Sequence, residues 1–175
     1  MTAATQLLHQ QGAERTTLAE IAKLADVPAG NVYYYFKTKD EVIMAVVEAH
    51  LRHTATTLAS IDSQHQSPKT RLKALVREFA SQSEMVADYG CPFGSLCSEL
   101  DKGVREPGAS ADELMRLPVE WAEKQFRSLE RRDARDLALD LIAAYEGSAL
   151  LANTLRDPGI LTKAAQRIEN WIDTL

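Results

Sequence analysis

Residues 16–42, TTLAEIAKLADVPAGNVYYYFKTKDEV, admit few arrangements. Thr17 stands three residues ahead of Glu20. That is the spacing of a capping box, in which a hydroxyl accepts a backbone N–H of the first helical turn and the glutamate returns a bond to the cap. Leu18, Ile21, Ala22 and Ala25 then recur at helical spacing and make one apolar face. A turn is expected at Ala25-Asp26, because aspartate tolerates left-handed backbone. A further short helix is predicted from about Pro28, a residue suited to a first turn, to Tyr35. Two short helices joined by a tight turn form a helix-turn-helix, with Leu18, Ile21, Ala22, Ala25, Val27, Val32 and Phe36 packing it together.

That packing leaves Ala29, Gly30, Asn31, Tyr33, Tyr34 and Tyr35 on an accessible helix. Consecutive helical residues lie about 100° apart, so at most one or two of the three tyrosines can be buried. Small residues for close approach, one amide and phenol hydroxyls that reach phosphate oxygens suit a DNA surface. Lys39 opens the next helix, where its charge and the free N–H groups both favour a phosphate. Charge alone would not suggest this. The chain carries 20 Lys and Arg against 25 Asp and Glu. Even its first stretch sets Arg15, Lys23, Lys37, Lys39 and Arg52 against Glu14, Glu20, Asp26, Asp40, Glu41 and Glu48.

The rest of the 175 residues also reads as helix, with no sustained two-residue alternation. A first helix is expected over residues 2–11, ending at Gly12. Thr38 caps a long fourth helix from about Lys39 to Ile61, and the polar Asp62–Ser67 reads as a linker. Ser67-Pro68 opens a helix ending near Gly90, and Pro92 a short one ending near Gly103. The loop GVREPGAS leads to Ser110, which forms a capping box with Glu113. Pro118 is expected to kink or divide the helix that follows. Two final helices cover about Asp133–Leu155 and Pro158–Leu175, with Asp157 as the last cap.

The segment around residues 11–50 resembles the DNA-binding domain of the TetR/AcrR family of regulators. Thr17, Ile21, Ala22, Ala25, Val27, Gly30, Val32, Tyr33, Tyr35, Phe36, Lys39 and the pair Glu41-Val42 carry the resemblance. The remainder is similar in length and helical layout only. One departure is that no Lys or Arg precedes Arg15, where family members often carry basic residues ahead of a longer first helix. The resemblance implies an all-α fold: an N-terminal three-helix helix-turn-helix DNA-binding domain at 1–50, and a C-terminal helical effector-binding and dimerisation domain at 51–175. It further implies a homodimer, a palindromic operator in double-stranded DNA, and a small-molecule effector that releases it. The DNA-binding set is then Thr17, Leu18, Ala29, Gly30, Asn31, Tyr33, Tyr34, Tyr35 and Lys39.

Met85, Phe93, Trp121, Phe126 and Tyr145 are candidates for an apolar effector cavity, with core packing as the competing role. The last two helices offer Leu137, Leu141, Ala144, Ser148, Leu161, Ala164, Ile168 and Trp171 as a dimer interface. The fourth helix joins the DNA-binding part to the C-terminal domain and is the natural lever between them. Cys91, at a helix start where a thiol is activated, admits a redox- or electrophile-sensing alternative. Against it, free cysteine more often serves as small buried filler, and Cys97 falls on a different helical face. His50 and His53 share a face, but His9, His50, His53 and His65 are remote in sequence from both cysteines, so no metal set is expected. No nucleophile elbow, P-loop or dinucleotide fingerprint is present, so neither catalysis nor a cofactor is expected. A helical adaptor that binds no DNA is the remaining rival. The N-terminus lacks a signal-peptide core and no apolar run spans a membrane, so a cytoplasmic protein is expected.

Overall fold

The computed structural model describes residues 1–100 and 111–175. All regular structure among them is helical: α1 (Thr2–Arg15), α2 (Leu18–Leu24), α3 (Ala29–Tyr35), α4 (Lys39–Gln64), α5 (Pro68–Ala80), α6 (Ser83–Tyr89), α7 (Pro92–Leu100), α8 (Asp112–Ser128), α9 (Ala134–Leu155) and α10 (Pro158–Thr174). The GVREPGAS loop, the helix end near Gly103 and the Ser110 cap lie outside the described residues.

Side-chain caps set several helix starts. Thr17 Oγ1 accepts the Glu20 N–H at 3.2 Å while Glu20 Oε2 accepts the Thr17 N–H at 3.0 Å, completing the expected box. These bonds hold the Glu20 carboxyl below its ordinary range. Asp26, at φ 52°, makes the left-handed turn between α2 and α3. Thr38 Oγ1 accepts the Glu41 N–H at the start of α4. Asp157 Oδ1 accepts the Gly159 N–H at 2.8 Å, and Pro158 opens α10.

Four boundaries differ from the sequence reading. Gly12 does break α1, at φ 83° and ψ 166°, but the helix resumes for one turn to Arg15. The Glu99 carboxylate from α7 accepts the Ala13 N–H at 2.5 Å and so caps that resumed turn. Buried Thr16 closes it, its hydroxyl donating to the Gly12 carbonyl at 2.7 Å. The supposed linker is helical to Gln64, because Asp62 is an anchor: its carboxylate accepts the buried Trp121 Nε1–H at 3.1 Å and its carbonyl accepts from Arg71. The helix opened by Ser67-Pro68 ends at Ala80, ten residues short of Gly90, and α6 follows after a two-residue turn. Pro118 does not divide α8. A mid-helix proline costs about 3 kcal/mol, and the buried Leu114, Val119 and Ala122 on either side outweigh it.

The chain forms two compact units, Met1–Arg52 with Pro92–Leu114, and His53–Cys91 with Met115–Leu175. The first has a core of Leu8, Leu18, Ile21, Val42, Val46, Val47, Leu96 and Leu114, with Val32 and Phe36 against its edge. The second is centred on Leu72, Leu75, Phe126, Leu141 and Ile172. There α10 packs on α9 and α5, and α6 packs on α9. Arg77 grips Glu169 through both carboxylate oxygens and Lys73 meets Asp173 at 2.6 Å, tying α5 to α10. The chain passes between the units within α4, at Cys91–Pro92 and within α8.

Candidate nucleic-acid interface

α3 buries none of its residues. Tyr34 and Tyr35 are 73% and 74% exposed and Tyr33 49%, so the expectation that at least one tyrosine would stay out of the core is exceeded by all three. Full burial of one large apolar side chain is worth roughly 1.5–3 kcal/mol, and the fold forgoes it three times in succession. Half-buried Val32 and Phe36 pack it against the core. Ala29, Gly30 and Asn31 are exposed as well. A Cβ on Gly30 would find nothing within 4 Å, so packing in the fold does not require a glycine there.

Two lysines flank this surface. Lys39 donates from Nζ to the Glu14 carbonyl at 2.9 Å, joining the start of α4 to the end of α1. Lys37, absent from the sequence-derived set, donates from Nζ to the Tyr33 and Tyr34 carbonyls, each at 2.9 Å, and lies 5.5 Å from the centroid of the Tyr34 ring. It thus caps the carbonyl end of α3 and brings a charge to the tyrosines. An ammonium has three donors, so each lysine keeps at least one beyond these carbonyl bonds. Its place just beyond YYYF was the available signal.

Other expected members sit differently. Thr17 is exposed, but its hydroxyl is engaged in the capping box. Leu18 is 8% exposed and packs in the core, so its side chain offers DNA nothing. Ala25 and Val27 are exposed instead of packing the motif together, because α2 ends at Leu24 and its buried face stops at Ala22. With Leu24 they form a small apolar margin beside α3.

Comparison with known proteins agrees with this geometry. Residues 1–46 match the model for bacterial regulatory proteins of the tetR family. The HTH-type transcriptional regulator BetI of Paraburkholderia phymatum is 31% identical over 96% of this chain and 86% of its own. The probable HTH-type transcriptional regulator ArpR of Pseudomonas putida is 32% identical over 98% of this chain and 85% of its own. The chain belongs to the TetR family of transcriptional regulators. A crystal structure of a TetR transcriptional regulator from Legionella pneumophila shares the fold at TM-score 0.85 and 20% identity, covering 97% of this chain and 92% of that one.

In this TetR-family regulator the five cavity candidates are divided between the two units. Phe93 lies in the first unit, its ring edge-on to His50 at 5.2 Å. The other four are in the second. Met85 is 42% exposed. Trp121 is buried and fixed by Asp62, and Phe126 is fully buried against Trp171 with centroids 6.0 Å apart. Tyr145 is buried and stacks on Phe79 at 4.4 Å.

An open groove of about 370 Å³ runs between α9 and α10, lined by Leu137, Asp140, Ala144, Ser148, Ala164, Arg167, Ile168 and Trp171. It gathers six of the residues expected at a dimer interface. Leu141 and Leu161 are fully buried in their own chain's core and present no surface. Leu150, Leu151 and Leu155, outside the expected set, are instead more than half exposed on α9.

Cys91 is 7% exposed and donates from Sγ to Glu146 Oε1 at 3.1 Å. A buried thiol facing a carboxyl is the opposite of the open, electropositive setting that activates cysteine. Cys97 donates to the Ala111 carbonyl. Among the described residues no three His, Cys, Asp or Glu side chains gather to hold a metal, and no helix is long and apolar enough to cross a membrane.

Proposed function

We propose that this transcriptional regulator is a ligand-responsive repressor that binds a palindromic operator as a homodimer and releases it when a small, largely apolar or aromatic effector binds. The observation that carries the DNA-binding part is α3, a whole helix kept out of the core with three exposed tyrosines and two anchored lysines at its end. Tyr33, Tyr35, Lys37 and Lys39 suit phosphates. Ala29, Gly30, Asn31 and Tyr34 suit base edges, with the DNA-binding domain at residues 1–50 and effector binding and dimerisation at 51–175.

For the dimer, the supporting surface is the α9–α10 groove with the exposed leucines of α9. A second copy covering it would give two helices from each subunit, an arrangement in keeping with closed two-fold symmetry. Such a dimer presents two α3 helices at a fixed separation, which a palindrome with half-sites on one DNA face matches. The protein would act in the cytoplasm, where its operator is.

α4 runs through both compact units and is the lever in this reading. An effector shifts head separation only by its differential affinity for the two arrangements. A coupling of about 1–3 kcal/mol changes operator affinity roughly 5–150-fold.

The test is operator selection from random duplex DNA, followed by fluorescence anisotropy across salt concentrations. The expected result is a palindromic consensus bound by two chains, with affinity falling steeply as salt rises. Failure to select any consensus, or binding with the same affinity for all duplexes, would refute it.

A further inference from the structure

Between Leu141 and Leu155, α9 carries a single charged residue, Glu146. It is partly buried, and its Oε1 accepts from the Cys91 thiol at 3.1 Å. Among the described residues no Lys, Arg or His pairs with it, and burial pushes its carboxyl above the ordinary range. The nearest cation further along α9, Arg156, is about 15 Å away by helical rise and is turned to the Ala87 and Asp88 carbonyls of α6. Beside Glu146, buried Tyr145 is hydrogen-bonded to the same thiol and stacks its ring on Phe79 of α5, 4.4 Å between centroids and 27° between planes.

An acid, a hydroxyl, a thiol and two aromatic rings thus converge within the second unit. Buried carboxylates are ordinarily paired, because an isolated charge in an apolar interior is costly. Among the described residues this one has no positive partner, and it lies beside aromatic rings, whose faces also attract cations. The same acid would repel an anion, and three metal-ligating side chains are not gathered here.

We propose that Glu146, flanked by Tyr145 and Phe79, is the anchor for a positively charged, largely apolar effector. This rests on the effector-responsive reading above and adds the sign of charge to it. The arriving cation gives Glu146 a charged partner and so favours its ionised form, and the rings cover the apolar part.

The test uses the 175-residue chain and two probes of nearly the same shape, tetraphenylphosphonium and tetraphenylborate, titrated by calorimetry in buffers of different ionisation enthalpy. The phosphonium is expected to bind about tenfold or more tighter than the borate. In acid solution, below the pH at which the free carboxyl ionises, its heat should also vary with buffer as a proton is released. Glu146→Gln, shown folded by thermal melting, should lose both the preference and the buffer dependence, whereas Glu146→Asp should keep part of each. If both ions bind alike, the cation anchor is wrong while the effector reading survives. If neither binds at millimolar concentration, both readings fail for such ligands. A preference undiminished in Glu146→Gln would come from the acidic protein at large and would overturn the assignment.

Discussion

Replacing Gly12 by alanine tests the join between α1 and α7 within the first unit. At φ 83° and ψ 166° the backbone occupies a region that is nearly glycine-only. A side chain there costs about 1–3 kcal/mol. The new Cβ would also lie 2.8 Å from Glu99 Oε1, closer than real contacts allow, and a tight 3.0 Å from Oε2. The glutamate must withdraw, loosening its 2.5 Å bond from the Ala13 N–H. A hydrogen bond to a charged group contributes about 1.5–3 kcal/mol, but a flexible side chain can recover part of that. The expected total is about 3 kcal/mol, a large share of the roughly 5–15 kcal/mol that holds an ordinary domain folded. Urea unfolding followed by circular dichroism measures it. In a Glu99→Ala background the obstruction is gone, so the same substitution should cost only the backbone strain. A cost below about 0.5 kcal/mol, or an identical cost in both backgrounds, would refute the argument.

Three further outcomes follow from the geometry. Lys39→Ala should weaken binding to all duplexes alike and reduce the salt slope by about 1, read by anisotropy, whereas Asn31 substitutions should change the selected consensus. Leu151→Asp, on exposed α9, should give folded monomer by sedimentation, while Leu161→Asp should unfold the chain because that side chain is fully buried. Glu146 has a raised folded-state carboxyl, so its contribution to stability is complete below the ordinary value of 4.5 and is lost as pH rises through the higher folded value. Thermal melts against pH should decline over that window, and Glu146→Gln should flatten the decline.

The head was legible in the sequence wherever structure is decided within a few residues. The Thr17–Glu20 box, the turn at Asp26 and the Asp157 cap all depend on neighbours three residues or fewer away. What escaped depends on distant partners. The resumed turn of α1 exists because of Glu99, 86 residues on, and α4 outruns its apparent linker because Asp62 meets Trp121, 59 residues on. The α5–α6 break has neither Gly nor Pro to mark it. On the candidate DNA surface, three adjacent tyrosines announced exposure by periodicity alone. The aromatic cavity set was less readable, since Phe126 as core and Phe126 as cavity wall have the same local pattern. Glu146 had a signal that composition hid, a lone charge in an apolar stretch.

α3 has a consequence for how such a protein changes over time. Because α3 is seated through half-buried Val32 while Ala29, Gly30, Asn31, Tyr34 and Tyr35 stay exposed, substitutions at those five positions are nearly independent of folding stability. On the proposed reading of α3 as the DNA-contacting helix, target choice can therefore drift, or be re-engineered by randomising five positions at once, while Val32 and Phe36 are left alone to keep the helix seated. A gene duplicate could acquire a new set of promoters without passing through unfolded intermediates, and a library built on these positions should lose few members to misfolding.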